Sequence, residues 1–140
     1  MRIPRALYDE LVALAEASPR AEICGMVAGR DGLAGRLLPV RNAAPEPERA
    51  FAMDPNDQHR AHTAIEDAGE DLLAIYHSHP PVGAYFSETD LDRAYMGDAP
   101  AWPGVVYIVV GLVDSERGPR GVKAFTVADR AATEVELDVV

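Results

Sequence analysis

Cysteine is almost absent from this 140-residue chain: Cys24 is the only one. No intrachain disulfide can form, and the cores of small disulfide-stapled domains are excluded. A lone cysteine and the lack of a cleavable signal pattern at the N-terminus lead to an expectation of a reducing cytoplasm. Basic residues are also scarce, 13 Lys and Arg against 23 Asp and Glu, for a formal net charge of -10. Nucleic-acid binding runs on clustered Lys and Arg, so this balance argues against a nucleic-acid partner and equally against an anionic membrane surface. Long apolar runs are missing as well. The longest, such as Val105 to Val113, are far too short to span a bilayer.

What is present is the composition of an ordinary globular protein, 48% hydrophobic and 26% charged. The length predicts a single domain over residues 1–140. There is no internal repeat and no low-complexity stretch. Leu7, Leu11, Leu14 and Ala15 recur at helical spacing, which predicts an amphipathic helix from Pro4 to Ala17. Ile23 to Gly29 reads as a short strand closed by a turn at Asp31-Gly32, with Arg36 to Val40 pairing back on it. Asp54-Pro55 is a helix start, and Ala61, Ala64, Ile65 and Ala68 mark its buried stripe as far as Gly69. Leu72 to Ser78 predicts a central strand. Ser87 opens a helix reaching about Met96, and Val105 to Val113 is the strongest strand. Lys123 to Val127 and Glu134 to Val139 are further strands. The pattern fits an α/β or α+β domain with a mixed sheet covered by helices.

The segment that carries chemistry is Tyr76-His77-Ser78-His79-Pro80, followed by Ser87-Glu88-Thr89-Asp90. Residues i and i+2 of a strand project to one face, so His77 and His79 point together and can converge on one ion. Pro80 ends the strand and places the pair at its mouth. With Asp90 one turn into the next helix, two imidazoles and a carboxylate make a three-ligand site that leaves zinc an open position. Structural zinc sites are instead closed, usually by cysteines. Zinc in an open site makes hydroxide available near neutral pH. Amide hydrolysis then needs a general base and an oxyanion donor. Glu22, flanking Ile23-Cys24-Gly25-Met26-Val27, is the candidate base, and Ser87, three residues before Asp90, is the candidate donor.

Glu22, then Ile-Cys-Gly-Met and Gly29, then His-Ser-His-Pro, a seven-residue gap to Ser87 and two residues to Asp90: this resembles the JAMM (MPN+) metalloprotease family. The resemblance covers most of the chain and fills every position of H-x-H-x7-S-x2-D. It implies one zinc on His77, His79 and Asp90, Glu22 as acid/base, and Ser87 as oxyanion donor. The implied fold is cytidine-deaminase-like, a curved mixed sheet flanked by helices. Deaminase chemistry itself is disfavoured, because the P-C-x-x-C zinc half-motif is missing. The chain is similar to the short prokaryotic members, among them bacterial peptidases that release cysteine from sulfur carriers. The implied substrate is therefore a ubiquitin-like β-grasp sulfur-carrier protein ending in Gly-Gly. Phe86 departs from the smaller residue or proline expected beside Ser87. Phe51-Ala52-Met53 and Pro81 to Phe86 are the expected walls of the substrate groove.

Plainer readings stand beside these. Taken singly, His77 and His79 read as core histidines, Ser87 as an N-cap completing a capping box with Asp90, and Glu22 as a strand-edge carboxylate. Cys24 reads as a small buried apolar residue, and His59 and His62 as solvated helix positions rather than a second metal site. Trp102 is either a loop anchor or part of the groove. The rival functions are a non-catalytic MPN scaffold and a zinc peptidase acting on cell-wall or other small peptides. The sequence leaves a homodimer open.

Overall fold

A computed structural model describes residues 1–140. In chain order the elements are β1 (Arg2–Ile3), α1 (Arg5–Glu16), β2 (Cys24–Arg30), β3 (Leu33–Val40), α2 (Pro55–Asp67), β4 (Asp71–His79), α3 (Glu88–Arg93), β5 (Tyr95–Met96), β6 (Ala99–Pro100), β7 (Val106–Gly111), β8 (Gly121–Ala128), β9 (Ala131–Val135) and β10 (Asp138–Val139). Eight strands form one mixed sheet in the order β10-β1-β3-β2-β4-β7-β8-β9, and β5 pairs with β6 in a separate hairpin.

The strand order requires strong curvature. β9 lies at one edge and β10 at the other, yet β9 ends at Val135 and β10 begins at Asp138. Three residue steps reach at most about 11 Å, whereas eight strands laid flat at about 4.8 Å spacing span roughly 34 Å. The sheet therefore curls until its two edges almost meet. It is an α+β domain with a curled mixed sheet and three helices, as the sequence leads one to expect.

Each face of the sheet has its own helical cover. On one face Leu7, Leu11 and Ala15 of α1 meet Val27, Ala34, Tyr76, Ile108 and Ala124, which come from five strands. On the other, Ala61 and Ile65 of α2 pack on Cys24, Met26 and Ala28. Beyond them Ala94 and Tyr95, just after α3, pack on Ile75 and Tyr107. β4 is central, antiparallel to β2 and parallel to β7, with Cys24 opposite His77 and His77 beside Val109. The β2–β3 turn has the expected form, with Asp31 and Gly32 both at positive φ (53° and 74°). α2 starts as read, its Asp54 side chain accepting from the Asp57 N–H and Pro55 in its first turn.

Besides β3, which begins at Leu33 rather than Arg36, and the β5–β6 hairpin, which was not expected, three elements differ from expectation. α3 stops at Arg93 instead of Met96, because Tyr95 leaves the helix to pack in the core and its hydroxyl accepts the Arg130 N–H at 2.9 Å. Glu134 to Val139 is not one strand, since the chain crosses between sheet edges at Glu136-Leu137. The two-residue strand β1 bridges β3 and β10 and carries no periodicity that a sequence reading can detect.

Candidate metal centre

β4 runs through the middle of the sheet and delivers His77 and His79 together at its C-terminal end, on the α2–α3 side. Both are buried. Their Nε2 atoms stand 3.1 Å apart. Asp90 Oδ2 lies 3.1 Å from Nε2 of His77 and 3.2 Å from Nε2 of His79. These three atoms make a nearly equilateral triangle from residues 77, 79 and 90, which the sequence reading grouped.

The start of α3 fixes Asp90. Ser87 is its N-cap, and its Oγ accepts the Asp90 N–H at 3.0 Å, while Asp90 Oδ2 accepts the Ser87 N–H at 3.0 Å. This reciprocal capping box satisfies two helix-end donors and fixes the carboxylate's direction. Burial alone would raise the Asp90 carboxyl, but His77 and His79 outweigh it and hold it well below the usual carboxylate range.

The donor set fits zinc. Nitrogen and oxygen ligands about 2.0–2.1 Å from a tetrahedral ion lie about 3.3–3.4 Å from one another, close to the sides of the observed triangle. The imidazole orientation fits as well. Nδ1 of His79 lies 3.3 Å from the Gly83 carbonyl, so an N–H there donates outward and leaves Nε2 as the lone-pair donor. Nδ1 of His77 has no protein partner, and that ring is held by stacking on Phe51, with centroids 4.5 Å apart and planes at 24°.

Glu22 arrives from the segment just before β2. Its N–H donates to Pro47 at 2.7 Å, its carbonyl accepts from Asn42 Nδ2 at 2.9 Å, and it is 5% exposed. One carboxylate oxygen lies within 4.8 Å of the facing nitrogens of both His77 and His79. Its Oε1 is buried with no partner. Burial raises the Glu22 carboxyl from 4.5 to about 7; His79 and Arg93 oppose the rise and Asp90 reinforces it. A carboxyl of that strength is matched to proton transfer near neutral pH.

Ser78 supports the centre without being evident from the sequence. It points to the opposite face from the two histidines, is fully buried, and its Oγ accepts the Ile23 N–H at 2.9 Å, tying Glu22's segment to the end of β4. Its only signal was its place between two histidines. Arg93, whose guanidinium donates to the Phe51 carbonyl, is likewise not evident from the sequence.

Two cavities border the triangle. One, of about 360 Å³, touches His77 and Asp90 and has walls from Phe51, Met53, Trp102 and Tyr107. The other, about 590 Å³, touches Glu22, His79 and Ser87 and is bounded by Arg49, Val82 and Tyr85. Phe86 belongs to both. Both expected wall segments thus border the centre, and Trp102 is cavity wall. His59 is exposed, and His62 pairs with Glu66 at 3.1 Å and packs near Trp102. Neither touches either cavity. Cys24 is buried, its Sγ–H directed at the Val40 carbonyl at 3.4 Å.

Comparison with known proteins agrees with this geometry. Residues 4–127 match the family described as prokaryotic homologs of the JAB domain. Desampylase of Haloferax volcanii is 41% identical over 98 residues, which is 68% of this chain and 66% of that protein. CysO-cysteine peptidase of Mycobacterium tuberculosis is 33% identical over 136 residues, 96% of this chain and 87% of that one. A JAB1/MPN domain protein from Archaeoglobus fulgidus shares the fold with a TM-score of 0.59 at 22% identity, covering 100% of this chain and 99% of that one. The chain belongs to the family of prokaryotic JAB-domain homologs and is a JAMM/MPN-type hydrolase.

Proposed function

We propose that this protein is a zinc-dependent peptidase or isopeptidase that hydrolyses the bond after the C-terminal Gly-Gly of a ubiquitin-like sulfur-carrier protein. It frees either a small adduct or a conjugated protein. The observation that supports this best is the triangle of His77 Nε2, His79 Nε2 and Asp90 Oδ2, with the Glu22 carboxylate beside it. The substrate class is supported by relatives whose names are desampylase and CysO-cysteine peptidase. A reducing cytoplasm suits a chain whose one thiol is buried.

His77, His79 and Asp90 would hold the zinc, whose Lewis acidity makes hydroxide available near neutral pH. Glu22 takes the proton of the attacking water and hands it to the leaving amine. The Ser87 hydroxyl accepts from the Asp90 N–H and keeps its own proton free to donate to the developing oxyanion. Pro81 to Phe86 bound the polar side of the centre, where an extended tail can lie, and Phe51 to Met53 wall its apolar side. Glycines there let the scissile carbonyl come close to the centre because they carry no Cβ.

Metal content tests the ligand set. The purified protein should carry one zinc per chain by elemental analysis. His77→Ala and Asp90→Ala should each lose most of it, since each removes one of three protein ligands. Full zinc stoichiometry in the His77→Ala/Asp90→Ala double variant overturns the assignment.

A further inference from the structure

The two cavities differ in chemistry. That on the Glu22 and Ser87 side is polar, bordered by Arg49, Glu88 and Arg117, and suits an extended backbone. That on the His77 side is smaller and mostly apolar. A Gly-Gly tail has no side chain to put into it, so it must receive some other part of the substrate. The cavities touch different members of the centre, His77 and Asp90 in one and Glu22, His79 and Ser87 in the other, and share Phe86, an arrangement that suits the amine side and the acyl side of one scissile bond.

One feature of the apolar cavity points to its occupant. Arg93 is the only Lys or Arg in the lining. It is exposed and donates to the Phe51 carbonyl, which leaves other N–H groups of its fork available to a carboxylate.

We propose that this cavity is the leaving-group subsite and accepts a free α-amino acid, its α-carboxylate on Arg93 and its side chain among Met53, Phe86, Trp102 and Tyr107. The proposal rests on the hydrolase reading above and narrows it to one class of adduct. In the reaction, water oxygen bonds to the glycyl carbonyl carbon and the C–N bond breaks. The nitrogen takes the electron pair and the proton carried by Glu22, leaving a carrier carboxylate and a free amino acid. A protein lysine linked through Nζ would bring an aliphatic stem but no carboxylate for Arg93.

The experiment compares kcat/KM for three conjugates of one Gly-Gly-ending carrier: with cysteine, with cysteinamide, and with the Nζ of a lysine in a peptide. The wild-type protein should prefer cysteine over cysteinamide by roughly ten- to a hundredfold, the range for a hydrogen bond to a charged group. Arg93→Gln should collapse that ratio toward one, and Arg93→Lys should keep part of it. Because Arg93 lies near Glu22, its loss also alters the chemical step, but both substrates share that change and it cancels in the ratio. Trp102→Ala should shift preference several-fold toward a phenylalanine adduct as the cavity widens. A wild-type ratio near one, an unchanged ratio in Arg93→Gln, or faster cleavage of the lysine conjugate overturns the subsite. If the zinc-loaded wild type cleaves none of the three, the hydrolase reading falls and takes the subsite with it.

Discussion

The Asp90 oxygen that accepts the Ser87 N–H at 3.0 Å is the same Oδ2 that stands 3.1 Å from His77 and 3.2 Å from His79. Capping the helix and holding the Asp90 carboxylate against the two histidines are therefore one interaction. The plain and the catalytic readings of Ser87 do not compete.

They can still be separated by substitution. Ser87→Ala removes the cap, which should cost about 1 kcal/mol of stability. If Ser87 also donates to the oxyanion, turnover should fall by roughly 10²–10³ with zinc content unchanged. Ser87→Asp restores a capping acceptor but places a carboxylate where the oxyanion develops, so it should regain the melting temperature and stay inactive. Turnover, zinc content and melting temperature for the three proteins decide this. A melting-temperature loss without a rate loss would leave Ser87 a cap alone.

Gly83 is a second point where packing and site meet. Its carbonyl lies 3.3 Å from His79 Nδ1 and its N–H donates to Ser115 Oγ at 3.0 Å. A Cβ added there would fall 1.8 Å from the Gly118 carbonyl oxygen. That contact is with backbone, so the loop itself must shift. Gly83→Ala should lose about 1–3 kcal/mol of stability through overpacking and weaken metal affinity by roughly 10–100-fold through the His79 partner. Thermal melts and competition with a chelator read the two effects; no change in either contradicts the assignment of Gly83 as an anchor for His79.

Much of this centre was legible because it is local. His77 and His79 need only strand alternation, and Ser87 with Asp90 needs only the first turn of a helix. Asp54-Pro55 announces α2 in the same way. What could not be read depends on contacts distant in sequence. Tyr95 leaves the helical pattern for a hydrogen bond with Arg130, 35 residues later. The split of Glu134 to Val139 follows from closure of the curled sheet, where β10 must reach β1. Arg93 and Trp102 acquire meaning only once Phe51 and Tyr107 are seen to share a cavity with them. Ser78, between the histidines, faces away from them, and nothing local says that it holds Ile23.

Cys24 is 1% exposed, and burial, reinforced by Glu22, pushes its thiol up from 9.0 to about 12. The thiolate is the reactive form, so the native protein should resist alkylation at pH 8 under conditions where the unfolded chain reacts fully. The folded value is the higher one, so this group's contribution to stability is complete below pH 9. It declines as pH rises from 9 toward 12, where the unfolded chain ionises and the folded one does not. Mass spectrometry after iodoacetamide treatment checks the first point. Rapid labelling of the native protein contradicts the buried placement.

The role of Glu22 comes down to one measurement. The wild-type and Glu22→Gln proteins, each shown to carry one zinc per chain, are incubated with a carrier–cysteine conjugate, and the products are weighed by mass spectrometry over time. The wild type should release cysteine and leave a carrier ending in a Gly-Gly carboxylate, and Glu22→Gln should be slower by about 10²–10⁴. An intact conjugate in the zinc-loaded wild-type reaction, or equal turnover by zinc-loaded Glu22→Gln, would contradict this mechanism.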